Sequence, residues 1–87
     1  MRYETLTSPG IDALDRARTV LMLPLGSVEQ HGPHMPVGTD SAIAHALCLA
    51  VAERAADRVV LPPPWYGLSA HHMRFAGSVT LSAQTML

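Results

Sequence analysis

The chain has 87 residues, 48% of them hydrophobic and 15% charged, with a formal net charge of −1 at neutral pH. That length allows one small domain, which would bury roughly 60–65% of the surface its unfolded chain exposes. A charge so near zero argues against electrostatic capture of nucleic acid or of an anionic membrane. Cys48 is the only cysteine, so no intrachain disulfide can form. Arg2, Glu4 and Asp12 precede any apolar run, so no secretory h-region is expected before the fold. The longest uncharged apolar stretch, Ser41 to Ala52, is too short to cross a bilayer, and a cytoplasmic location is expected.

In chain order, Ser8-Pro9 opens a short helix by N-cap and N1 proline, with Ile11 and Leu14 on one face and an end near Arg18. Thr19 to Leu25, TVLMLPL, reads as a strand buried on both faces, because its apolar residues run on without period-2 alternation. Pro33 to Asp40 carries two prolines and one glycine, directly after Gly32, and predicts an irregular loop. A helix follows over Ser41–Arg58, with Ile43, Ala46, Leu47, Ala50 and Val51 at the spacing of a buried face. Cys48 and Leu49 widen that face, so cover on two sides is expected. Val59-Val60-Leu61 predicts a second buried strand, stopped by Pro62-Pro63-Pro64. Val79-Thr80-Leu81 predicts a third, and Ser82 caps a helix from Ala83 that the chain's end at Leu87 interrupts after little more than a turn. The sum is an α/β fold with a parallel β-α-β core and a right-handed crossover.

The chemistry gathers after the first strand. Glu29, His31 and Asp40 lie beyond the carboxyl end of a predicted parallel strand and before the following helix, where open α/β sheets place ligand sites. Two carboxylates and one neutral imidazole suit zinc or manganese. Glu29 and His31 are two apart, so an extended segment points both to one side. Gly32 and Gly38 permit the turns that would return Asp40 to them. Each residue also has a plainer reading. Asp40 stands where an N-cap would stand, Glu29 could be a solvated loop acid, and His31 a surface histidine.

The whole string Leu23 to Asp40, LPLGSVEQHGPHMPVGTD, resembles the signature of the creatininase (creatinine amidohydrolase) family. Tyr66-Gly67, Ser69, His72 and Phe75-Ala76-Gly77-Ser78 resemble a second family run, with Ala76 in place of its usual proline and Ser78 in place of its threonine. The resemblance implies a metal-dependent hydrolase of cyclic amides and related C–N bonds, with two divalent ions, zinc or manganese, in the complete enzyme. It implies Glu29, His31 and Asp40 as metal ligands, with Asp40 bridging the ions, and Ser69 and His72 as substrate-facing residues.

The family's later ligand segment and its proton-transferring glutamate and histidine have no counterpart here, so no catalytic residue is assigned. The expected state is a single partial domain over residues 1–87, the N-terminal part of a three-layer fold, inactive alone. Its expected partners are a small-molecule amide and either further copies of itself or the missing C-terminal half. Two alternatives stand beside this reading: a formamide or small-peptide hydrolase of the same family, and a non-catalytic metal-binding or subunit-interface remnant. Among the other histidines, His34 is expected to shape the loop, His45 to be a hydrogen-bonded core or interface residue, and His71 to be exposed. Trp65 and Tyr66 fit loop packing or an aromatic wall.

Overall fold

The computed structural model describes Met1–Leu87. Its elements are helix α1 (Ser8–Asp12), strand β1 (Val20–Met22), helix α2 (Thr39–Ala52), strand β2 (Arg58–Val60) and helix α3 (Ala83–Met86), with 3-10 turns at Tyr3–Thr5 and Ala70–His72. β1 and β2 pair in parallel, Val20 opposite Arg58 and Met22 opposite Val60, and α2 packs against β2. The predicted β-α-β unit is therefore present.

β1 is shorter than its apolar run, and β2 begins and ends one residue before the run predicted for it. The ladder ends where Leu61 N–H donates to Met22 O at 2.9 Å, because Pro62, Pro63 and Pro64 have no N–H to continue it. The other edge of β2 is taken by the chain's start: Val60 N–H donates to Met1 O at 2.7 Å, and Arg2 bridges Val60 in parallel. Val79 and Thr80 form no third strand. Instead they make two isolated bridges, Val79 antiparallel to Val28 and Thr80 parallel to Gly67. This short segment thus lies between the loop after β1 and the loop after β2.

The helix boundaries also move. Thr7, not Ser8, caps α1 by accepting from Gly10 N–H at 3.2 Å. α1 stops at Asp12, and Asp15 then organises a turn, its carbonyl accepting from Thr19 N–H at 2.8 Å. α2 ends at Ala52 rather than Arg58, since residues 53–57 must turn back to feed Arg58 into register with Val20. Glu53 and Asp57 consequently lie outside the helix, and Asp57 pairs with Arg58 at 2.8 Å. Ser82 caps α3 as expected, accepting from Thr85 N–H at 3.1 Å.

The buried face of α2 is not the predicted one. Ile43, Leu47 and Val51 are 55%, 63% and 47% exposed, while Ser41 is fully buried and His45, Cys48 and Ala52 are half-buried on the same stripe. A helix apolar nearly all round carries no periodic signal to choose a face. His45 sits on the inner stripe but makes no side-chain hydrogen bond, contrary to expectation. β1 is not buried on both faces either: Val20 and Leu21 are 43% and 52% exposed.

Only Val59 and Val60 form a fully apolar core; Ser27, Glu29, Ser41 and Ser69 are buried with them. The packing around these polar groups is tight. A Cβ on Gly26 would lie 2.5 Å from Ser41 N, and one on Gly67 would lie 2.5 Å from Gly26 O. The post-β2 loop therefore stacks on the post-β1 loop, which stacks on the start of α2, with no room for a methyl group between layers. Gly26→Ala should lower stability by about 1–3 kcal/mol through forced backbone displacement. Ser41→Ala should be neutral or stabilising, because it removes a buried hydroxyl that has no partner. Urea unfolding midpoints of the two variants check both expectations.

Candidate metal centre

The segment after β1 folds back on itself. Glu29 N–H donates to Val37 O at 3.0 Å, and His31 bridges Met35 in antiparallel fashion. Gly32 turns the chain at φ +74°, a conformation glycine adopts at no steric cost. Gly38, at φ −88°, is ordinary backbone, so the return of Asp40 depends on Gly32 and not on both glycines. Asp40 falls in the first turn of α2, whose N-cap is Gly38; the capping role is thereby excluded, and no side chain caps this helix.

The loop brings the three residues together. One ligating atom from each of Glu29, His31 and Asp40 lies within 4.8 Å of the others. His31 Nε2 is 3.0 Å from Asp40 Oδ1. His31 Nδ1 is 3.3 Å from Glu29 O, so with a metal on Nε2 the Nδ1–H would donate to that carbonyl. A backbone carbonyl on one ring nitrogen is the usual way an imidazole is oriented for a metal on the other. Asp40 Oδ2 accepts from the Ser27 hydroxyl at 3.1 Å, which leaves Oδ1 facing the site.

Glu29 is the centre of the arrangement and is only 8% exposed. The Ser69 hydroxyl donates to Glu29 Oε2 at 2.5 Å. That hydrogen bond holds the carboxyl well below the usual carboxylate range, against the opposing effect of burial. A buried carboxylate beside a second carboxylate calls for positive charge. No arginine supplies it: Arg2 pairs with Glu4, Arg16 with Asp12 and Arg58 with Asp57. The donor set fits a divalent cation, which would take the place of the missing counter-charge.

Sequence reasoning missed part of the surroundings. His71 is 69% exposed, as expected, yet its Nε2 lies 4.0 Å from Glu29 Oε2. His72 Nε2 lies 4.0 Å from Glu29 Oε1, so Glu29, His71 and His72 form a second group of potential ligands sharing the same carboxylate. Gln30, read only as part of a motif, joins Ser78 and His72: its N–H donates to Ser78 Oγ and its side-chain amide meets His72 Nδ1, each at 3.0 Å. The adjacent pair His71-His72 was the signal available. Ser69 is fully buried with its hydroxyl committed to Glu29, and His34 is exposed at the turn. Trp65 lies over Gly38, and Tyr66 is 52% exposed. The hollows of the surface, lined by residues such as Leu14, Thr19 and Leu49, share no residue with the site.

Comparison with known proteins identifies the family. Residues 4–87 match the family model described as Creatininase: Creatinine amidohydrolase. A mycofactocin precursor peptide peptidase of Mycobacterium ulcerans (strain Agy99) is 42% identical over 74 residues, covering 76% of this chain and 30% of that protein. A creatinine amidohydrolase of Pseudomonas putida is 38% identical over 72 residues, covering 77% and 27%. Among solved structures, a manganese creatininase superposes with a TM-score of 0.87 at 36% identity, covering 97% of this chain and 35% of the other. The chain thus spans about 30% of the length of the curated relatives it matches.

Removing the Ser69 hydroxyl would leave a buried carboxylate oxygen without its donor. Ser69→Ala should cost about 1.5–3 kcal/mol of stability, the usual range for a hydrogen bond to a charged group. Denaturant unfolding of the metal-free chain measures it, and Ser8→Ala, at an exposed hydroxyl, serves as a surface comparison.

Proposed function

The chain belongs to the creatininase family, and from that membership we propose that Glu29, His31 and Asp40 hold a divalent ion, zinc or manganese, in a metal-dependent amidohydrolase. The observation that carries the reading is the buried Glu29 carboxylate, 3.0 Å-linked His31–Asp40 pair beside it, and the absence of any arginine partner. An ion bound there supplies Lewis-acid polarisation of an amide carbonyl and lowers the pKa of water toward neutrality.

The chain's own residues prepare that site. Ser69 keeps Glu29 ionised and oriented, and Ser27 turns Asp40 so that Oδ1 faces inward. The Glu29 carbonyl fixes the His31 ring with Nε2 toward Asp40. His72 faces the same carboxylate from the other side and is the residue best placed to meet a substrate; Ser69 acts on substrate through Glu29. The substrate class is an amide C–N bond. The relatives named for creatinine and for a peptide precursor make a cyclic amide and the end of a small peptide the two substrates to compare. None of the residues near Glu29 is assigned as proton carrier, and we propose that these 87 residues alone bind metal without turnover.

Zinc or manganese should therefore stabilise the chain, by about 2.7 kcal/mol at a hundredfold excess over the dissociation constant. His31→Ala and Asp40→Ala should abolish that shift, whereas His34→Ala should keep it. Thermal melts with and without added ion measure the effect. An undiminished shift in Asp40→Ala would overturn the assignment, and hydrolysis of creatinine by the chain alone would overturn the claim of inactivity.

A further inference from the structure

The histidines around Glu29 are held in opposite ways. Gly32 N–H, which can only donate, lies 3.0 Å from Gln30 Oε1 and so identifies that atom as the amide oxygen. The amide nitrogen is then the atom at 3.0 Å from His72 Nδ1. An amide nitrogen only donates, so His72 Nδ1 accepts and carries no proton. The neutral ring must place its proton on Nε2. That N–H lies 4.0 Å from Glu29 Oε1, beyond hydrogen-bond length, and makes no other hydrogen bond. His31 is the reverse: both of its ring nitrogens face acceptors, Nδ1 at 3.3 Å from the Glu29 carbonyl and Nε2 at 3.0 Å from Asp40 Oδ1.

We infer that Gln30 locks His72 as an Nε2–H donor at the edge of the site, where it serves an acceptor oxygen of the amide class and is not a ligand of the ion. The geometric grouping of Glu29, His71 and His72 is then not a second cation cage, since the nitrogen that would have to coordinate bears a proton. His72 is 26% exposed through its side chain, enough for a bound molecule to reach Nε2. Its ring is also fixed from the side by His71, at 4.3 Å between centroids, and so presents a preoriented N–H. The nature of the acceptor rests on the amidohydrolase reading; the tautomer rests on the hydrogen bonds alone.

Long-range proton–nitrogen NMR spectra of the nitrogen-15-labelled chain test the inference. Without metal, His72 should show a protonated Nε2 and an unprotonated Nδ1. Gln30→Glu replaces the donor with a carboxylate that accepts, and should move the His72 proton to Nδ1. On addition of zinc, the His31 Nε2 signal should shift as a coordinated nitrogen while His72 keeps its Nε2 proton. A wild-type His72 protonated at Nδ1, or the loss of its Nε2 proton on zinc addition, would overturn the proposal. Should Gln30→Glu lose its folded amide spectrum, the wild-type tautomer and its response to zinc decide the matter without it. If zinc shifts no histidine at all, the metal reading falls while the tautomer assignment stands.

Discussion

One buried carboxylate organises this small structure. The Ser69 hydroxyl hydrogen bond holds Glu29 well below the usual carboxylate range, outweighing the upward push of burial. Ser69 lies 40 positions along the chain, so the hydrogen bond ties the loop after β2 to the loop after β1. Gly67 on Gly26, and Gly26 on Ser41, bring the two loops and the start of α2 within backbone contact. The polar centre, rather than a broad apolar core, is where the chain is packed most closely. Only two valines are fully buried elsewhere.

That organisation explains why neighbouring residues of one sequence run have different work. In Glu29-Gln30-His31, the carboxylate of Glu29 faces the site while its carbonyl orients His31. Gln30, between them, sends its side chain to Gly32 N–H and His72. The turn at Gly32 is what allows a single side-chain amide to satisfy the loop on one end and a distant histidine on the other. The positions of two imidazoles are thereby tied to three consecutive residues.

The parallel β-α-β unit was legible because long apolar runs flanked by prolines and glycines leave few alternatives. The proposed ligand trio was suggested by its motif, and a loop that brings Asp40 to His31 is present, with the two side chains 3.0 Å apart. The face of α2 was not legible. Ser41, His45, Cys48 and Ala52 face inward at the same three-four spacing as the more hydrophobic Ile43, Leu47 and Val51, and hydrophobicity alone favoured the wrong stripe. The third strand failed for another reason. Val79 and Thr80 have strand-like residues, but their partners, Val28 and Gly67, belong to loops of opposite direction, and no continuous ladder can form. Nor could sequence spacing place His71 and His72 beside a carboxylate more than 40 residues earlier.

The inward choice of the weaker stripe follows from the centre itself. Gly26 admits no Cβ next to Ser41, so the helix meets the loop that carries Glu29 at a position with a small side chain. Helical geometry then dictates the rest: with Ser41 inward, positions 45, 48 and 52 turn inward as well, and Ile43, Leu47 and Val51 turn outward. Burying the outer stripe instead would rotate Asp40 away from His31, because Asp40 and Ser41 are adjacent on one rigid first turn. The fold leaves large aliphatic side chains in solvent to keep one carboxylate in register with an imidazole. A helix apolar on both sides satisfies the site on one side and still offers the other to whatever packs there.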